Sequence, residues 1–260
     1  MVDLFNYTRR ATSVAHIGSL DLGGDNPVRI QSMTTTNTND TEACIRQAEE
    51  IIKAGGEVVR FTTQGSREAE NMKNINAGIR ADGYLTPLVA DVHFNPNVAD
   101  VAALYCEKVR VNPGNYVDPA RKFIKQEYTD EEYAHELQKI EDRFVPFLNI
   151  CKENHTAIRI GVNHGSLSDR IRNRYGDTPE GIVESCMEFL RICKKEYFHD
   201  VVISIKSSNT VVMVRSMRLL VSEMEKEGMN YPLHLGVTEA GEGLRSEEHT
   251  SELQSRVDLV

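Results

Sequence analysis

Residues Leu88 to Asn115 read LVADVHFNPNVADVAALYCEKVRVNPGN, and this stretch decides the fold. It opens on an apolar run, Leu88-Val89-Ala90, that ends at Asp91, Val92 and His93. Asn95 is suited to capping a helix, and Pro96 to its first turn, where a missing N–H costs nothing. Val98, Val101, Ala102 and Tyr105 then recur at helical spacing and form one apolar stripe. A second short strand, Lys108 to Val111, carries Arg110 and runs into Asn112, and Pro113-Gly114 stops it. The unit is strand–helix–strand, with polar groups loaded at both strand ends. In barrels of such units the C-terminal ends of the strands are where chemistry is built.

The same pattern extends to either side. Towards the N-terminus, a hairpin is expected around Ile17-Gly18 and Leu22-Gly23-Gly24. A strand over 28–33, a helix over 41–54, a strand over 58–61 with Arg60, and a helix over 66–81 follow. Towards the C-terminus come a long charged helical segment over 130–153, a strand over 157–162 with Arg159, and the turn Asn163-His164-Gly165-Ser166. Thr178 and Pro179 open a helix whose apolar face is Ile182, Val183, Cys186, Phe189, Leu190 and Cys193. A strand over 201–204 ends at Lys206-Ser207-Ser208, a helix spans 210–227, and a last strand over 233–237 ends at Thr238-Glu239. Seven strands alternating with helices predict a parallel sheet and an α/β, TIM (β/α)8-type barrel truncated after about the seventh strand. A doubly wound open sheet ranks lower, because it would gather its polar groups at one switch point.

With 260 residues, 40% of them hydrophobic and 27% charged, the chain has the composition of a soluble globular domain with a well-buried core. No apolar run is long enough to span a bilayer, and no apolar stretch follows Arg9-Arg10 as an export signal requires, so a cytoplasmic location is expected. The net charge of −9 argues against a general nucleic-acid binder. The five cysteines include no C-x-x-C pair and are read as reduced thiols packed as small hydrophobes.

Together the strand ends present Arg60, Asp91, His93, Arg110, Asn112, Arg159, Asn163, Lys206 and Glu239. A single arginine at a strand end is ordinarily solvated, and a single histidine ordinarily makes a structural hydrogen bond. Three arginines and a lysine on one rim repel one another unless an anion joins them, and arginine forks match phosphate oxygens two at a time. The pattern therefore predicts a phosphate or diphosphate ligand, with Asp91 ionised among the cations and Glu239 able to give or take a proton. No P-loop, G-x-G-x-x-G or H-E-x-x-H is present.

Ile30–Asp40 (IQSMTTTNTND), Leu88–Phe94 (LVADVHF), Val109–Asn115 (VRVNPGN), Ile158–Leu167 (IRIGVNHGSL), Ser204–Ser208 (SIKSS) and Leu233–Gly241 (LHLGVTEAG) resemble the barrel domain of the 4-hydroxy-3-methylbut-2-en-1-yl diphosphate synthases. The extended segment from Tyr116 to Glu153 resembles the long form of that family, which carries an extra domain. The resemblance implies reductive opening of 2-C-methyl-D-erythritol 2,4-cyclodiphosphate, with electrons from ferredoxin or flavodoxin passing through a [4Fe-4S] cluster. It implies that Arg60, His93, Arg110, Arg159 and Lys206 hold the cyclic diphosphate. It further implies that Asn112 and Asn163 make polar contacts, and that Glu239 is the acid near the reacting centre. Asp91 joins them as a substrate-site residue. The cluster ligands are expected in a C-terminal domain absent from this chain, and the full-length enzyme is expected to be a homodimer.

The likeness ends near Gly243. Arg245–Ser255 (RSEEHTSELQS) reads as a sequencing-library adapter translated in frame, so residues 1–243 are taken as an incomplete barrel and 244–260 as a non-native tail. Two other readings compete: a pterin-binding barrel of the dihydropteroate synthase type, and a non-catalytic barrel that binds a phosphorylated ligand.

Overall fold

The computed structural model of the chain describes residues 9–93, 95–118, 127–235 and 252–253. An antiparallel hairpin, β1 (Val14–Ile17) and β2 (Leu20–Gly23), comes first, its turn made at Gly18 with φ +55°. Six parallel strands follow: β3 (Ile30–Met33), β4 (Val58–Thr63), β5 (Leu88–Val92), β6 (Lys108–Val111), β7 (Ala157–Asn163) and β8 (Val201–Lys206). Each pairs with its sequence neighbour, so the sheet order is the chain order. The sheet curls: Lys108 on β6 reaches Gln31 on β3, three strands away, with Nζ 3.0 Å from Oε1. The fold is an α/β half-barrel, as the alternation predicts.

The helices are α1 (Thr41–Lys53), α2 (Ser66–Ala81), α3 (Pro96–Ala103), α4 (Asp130–Asn154), α5 (Asp169–Tyr175), α6 (Pro179–Lys195) and α7 (Thr210–Lys226). Their starts follow from short polar side chains that accept orphan backbone N–H groups. Asp40 accepts from Ala43, Asn95 from Asn97, Thr178 from Gly181, and Asn209 from Val211 and Val212. Thr129 and Glu132 form a capping box at the head of α4. α4 is the barrel helix between β6 and β7. Its Phe144, Phe147, Leu148 and Cys151 are buried in the shared core.

Alternate strand residues divide between two cores. Phe61, Leu88, Ala90, Val109, Ile158 and Ile203 face the helices and pack with Met72, Ile75, Phe189 and Leu190. The other set faces the barrel interior, where Ala157 and Val202 meet Ala15, Ile17 and Leu22 of the hairpin in a small separate apolar cluster. The hairpin therefore stoppers the interior at the N-terminal end of the strands. Strand register sets the rows above it. Thr62, Asp91, Arg110, Arg159 and Val202 are aligned across β4 to β8, and Met33, Arg60, Val89, Lys108 and Ala157 across β3 to β7.

Two sequence expectations change. The last strand, expected over 233–237, is represented by a single parallel bridge from Ile203 to Leu233, and residues 236–251 lie outside those described. The outer edge of β3 pairs antiparallel with β9 (Glu252–Leu253), within the segment assigned to the tail.

Candidate anion-binding site

Asp91 organises the interior. It stands at the end of β5, is 3% exposed, and touches three cationic or proton-binding side chains. Arg110 Nη1 donates to its Oδ1 at 3.1 Å, Arg60 Nη2 lies 3.4 Å from its Oδ2, and His93 Nε2 lies 3.1 Å from the same oxygen. Burial pushes the carboxyl pKa up. Arg60, Arg110 and His93 overcome that and hold it well below the usual carboxylate range, so Asp91 is ionised.

Arg110 is fixed on both sides. Its Nη2 donates to the Gly161 carbonyl at 2.8 Å while Nη1 holds Asp91. Gly161 is required here by close approach: a Cβ on it would sit 2.5 Å from Arg110 Nε. Next to Arg110, as its cross-strand partner, stands Arg159, 1% exposed, with Nε donating to Ser204 Oγ at 2.9 Å. Like charges placed directly opposite destabilise a sheet, and two buried arginines side by side are a strong demand for negative charge.

Above this row, Asn112 and Asn163 each cap a single 3-10 turn, accepting from the N–H of Gly114 (3.2 Å) and Gly165 (3.0 Å). Lys206 is the register partner of Asn163 at the top of β8. The structure thus brings Arg60, Asp91, His93 and Arg110 into one contact network. It places Arg159 beside that network and sets Asn112, Asn163 and Lys206 at the mouth. Glu239 lies outside the described residues.

Sequence reasoning passed over Lys108, which is 1% exposed and sits one row below Arg110. The signal was available: positions 108, 110 and 112 alternate on one strand and so face the same side. It also passed over His164, which links two loops. Its Nδ1 lies 3.3 Å from Ser207 Oγ, and its Nε2 lies 2.8 Å from Asp177 Oδ1 without the alignment of a straight hydrogen bond. Among the described inward strand positions, five cations (Arg60, Lys108, Arg110, Arg159, Lys206) accompany one carboxylate, Asp91.

The thiols do not fit an iron–sulfur cluster. All five cysteines are buried and free, and burial pushes each thiol pKa up, away from the thiolate that such a cluster needs. No group of three or more His, Cys, Asp or Glu side chains is placed to hold a metal among the described residues. Cys44, on α1, touches the loop after β3. Its Sγ donates to the Asn37 carbonyl at 3.3 Å and lies 3.2 Å from Thr36 Oγ1, beneath the loop after β3. No helix among the described residues is long and apolar enough to cross a membrane.

A curled parallel sheet with helices outside, an apolar stopper at one end and a cation-rich interior at the other defines a barrel of the (β/α) class. The chain belongs to the GcpE TIM-barrel domain family, whose pattern it matches over residues 12–252. It is 76% identical over 93% of its length to the 4-hydroxy-3-methylbut-2-en-1-yl diphosphate synthase (flavodoxin) of Phocaeicola vulgatus, covering 39% of that protein. It is 75% identical over the same share to the protein of the same name from Bacteroides thetaiotaomicron, covering 40% of it. The chain therefore spans about two fifths of the length of these curated relatives. Among solved structures, the N-acetylneuraminic acid synthetase of Leptospira borgpetersenii shares the fold, with a TM-score of 0.52 at 12% identity over 90% of this chain and 72% of that one. The family match decides against the dihydropteroate synthase reading.

Proposed function

We propose that this chain is the substrate-binding barrel of a 4-hydroxy-3-methylbut-2-en-1-yl diphosphate synthase. In this reading it binds 2-C-methyl-D-erythritol 2,4-cyclodiphosphate at the mouth of the barrel, for reductive ring opening in isoprenoid biosynthesis. One observation carries the reading: buried Arg110 and Arg159 stand side by side, with Arg60, Lys108 and Lys206 on the same interior face and Asp91 as the sole described carboxylate there. A cyclic diphosphate brings two negative phosphoryl groups to that row, and arginine forks grip such oxygens in pairs.

In this chain's own chemistry, Arg60, Arg110, Arg159 and Lys206 neutralise the diphosphate, and His93 at the mouth supplies a further donor. Asn112 and Asn163 offer amide N–H groups, because their carbonyl oxygens are committed to their own turns. Asp91 holds Arg60 and Arg110 in place before the ligand arrives, so little reorganisation is needed on binding. Glu239 is assigned the proton transfer. The reduction needs two electrons. The [4Fe-4S] cluster that delivers them from flavodoxin, the donor in the relatives' names, or from ferredoxin is assigned to the remainder of the full-length protein. The same reading makes that protein a cytoplasmic homodimer, and keeps 244–260 as a non-native tail that sequencing of the gene past codon 243 would test.

Titration calorimetry of this chain with the cyclic diphosphate tests the assignment. Binding should occur, should weaken as salt rises, and should fall about tenfold or more in Arg110→Lys, which keeps the charge and loses the fork. Absence of binding, or equal affinity in Arg110→Lys, would overturn it.

A further inference from the structure

The ends of β6 and β7 carry the same four-residue pattern, Val111-Asn112-Pro113-Gly114 and Val162-Asn163-His164-Gly165. The two turns also have the same form. Each asparagine is extended, at φ −108° and φ −113°, each starts one 3-10 turn, and each side-chain oxygen accepts the N–H two residues on. That bond fixes which end of each amide is oxygen, and so where the NH₂ lies.

The turns interlock at Ser166. Asn112 Nδ2 donates to Ser166 Oγ at 2.8 Å, and Ser166 Oγ donates its one proton to the Asn163 carbonyl at 3.2 Å. The Ser166 carbonyl presses on the first turn as well: a Cβ on Gly114 would lie 1.9 Å from that oxygen. Asn112 is 3% exposed, so its amide has little water to turn to if the serine is removed.

We propose that Ser166 is a positioning residue of the mouth: its hydroxyl ties the β6 and β7 turns together and sets the plane of the Asn112 amide for the ligand. The proposal rests on the reading of the mouth as a diphosphate site. Ser166 itself need not touch the ligand. It takes one N–H of Asn112 and leaves the other to be offered in a fixed direction, which is the preorganisation a polar site requires.

The test uses this chain as wild type, Ser166→Ala and Ser166→Thr, each checked for an unchanged thermal transition. Calorimetry with 2-C-methyl-D-erythritol 2,4-cyclodiphosphate is combined with the ¹⁵N side-chain resonance of Asn112, identified by its loss in Asn112→Ser. Ser166→Ala should weaken binding about threefold to tenfold, the scale of one neutral hydrogen bond. Ser166→Thr, which keeps the hydroxyl, should bind within about twofold of wild type. The Asn112 resonance should move or broaden in Ser166→Ala alone, before any ligand is added. Equal affinity in Ser166→Ala, equal weakness in both variants, or an unmoved Asn112 resonance would overturn the proposal. If the wild type does not bind at all, the proposed function fails instead, and the ligand-free resonance alone then decides the role of Ser166.

Discussion

Replacing Asp91 with asparagine removes the one described carboxylate from a row of buried cations while keeping the shape of the side chain. Arg110 and Arg60 then keep their positions beside a neutral amide, at the 3.1 and 3.4 Å separations that now hold ion pairs. Stripping one partner from a buried ion pair costs about 3–5 kcal/mol, because the remaining charge stays buried and uncompensated. Two arginines share this carboxylate, so the upper part of that range applies, a large fraction of the roughly 5–15 kcal/mol that holds a domain folded. Urea unfolding followed by circular dichroism should show the midpoint of Asp91→Asn falling sharply. The folded-state pKa of Asp91 is held below its unfolded value, so its contribution is fully present above about pH 3.9 and is lost as the pH falls through the folded value. Below that point the two proteins should converge, with wild-type stability falling more steeply. Added pyrophosphate should stabilise the variant more than the wild type, since it replaces the missing charge. A variant as stable as the wild type at pH 7, or one that pyrophosphate does not rescue, would refute this account of the interior.

Gly161→Ala should cost about 1–3 kcal/mol in the same unfolding assay and weaken diphosphate binding, because the new methyl group meets Arg110 Nε at 2.5 Å and Ser204 Oγ at 3.3 Å. An alanine variant with wild-type stability and binding would show that Arg110 is not confined as described. Tyr116→Phe should leave the melting temperature unchanged or raise it: the hydroxyl is buried without a hydrogen-bond partner among the described residues, while the ring packs edge-on against Phe144 and Phe189 at 5.7 and 5.9 Å. A loss of more than about 1 kcal/mol would reveal a partner for that hydroxyl.

Much of the barrel was legible because its signals are local. Asn95 and Pro96 mark a helix start by their own chemistry, and the face of α6 from Ile182 to Cys193 is buried as its spacing requires. Arg60, Asp91, His93 and Arg110 could be picked out because each stands at the end of an apolar run. The interior below them was not legible. Lys108 opens a strand and reads as a solvated end, and only the reach of β6 across to Gln31 on β3 makes it interior. The short helix α5 was missed for a related reason. Seven residues carry no apolar stripe, and its charged Arg170 is nonetheless 3% exposed. Arg170 donates to both oxygens of Glu188 at 2.7 Å and to Asp118 at 3.1 Å, and Tyr133 donates to Glu188 at 2.5 Å. Burial opposes the charge on Arg170, but these acids more than compensate and keep it cationic. Its partners lie on three other segments, so no local pattern announces a buried ion cluster. The long helix from Asp130 was legible as a helix, and its apolar side of Phe144, Phe147 and Leu148 docks it on the barrel.

The hairpin stopper has a consequence for the order of events during synthesis. Ala15, Ile17 and Leu22 close on Ala157 and Val202, His16 N–H donates to Asp200, and Ser13 N–H donates to the Asn230 carbonyl. Every one of these partners leaves the ribosome long after the hairpin does. At roughly 5–20 residues per second, the hairpin waits on the order of ten to forty seconds for Asp200 and Val202 to appear. Through that interval the first strands can pair and curl, but the charged interior stays open at both ends, wet and unclosed. The hairpin is therefore made well before the strands it closes on, and the apolar floor beneath the row of Arg110 and Arg159 is completed only after β7 and β8 have been made.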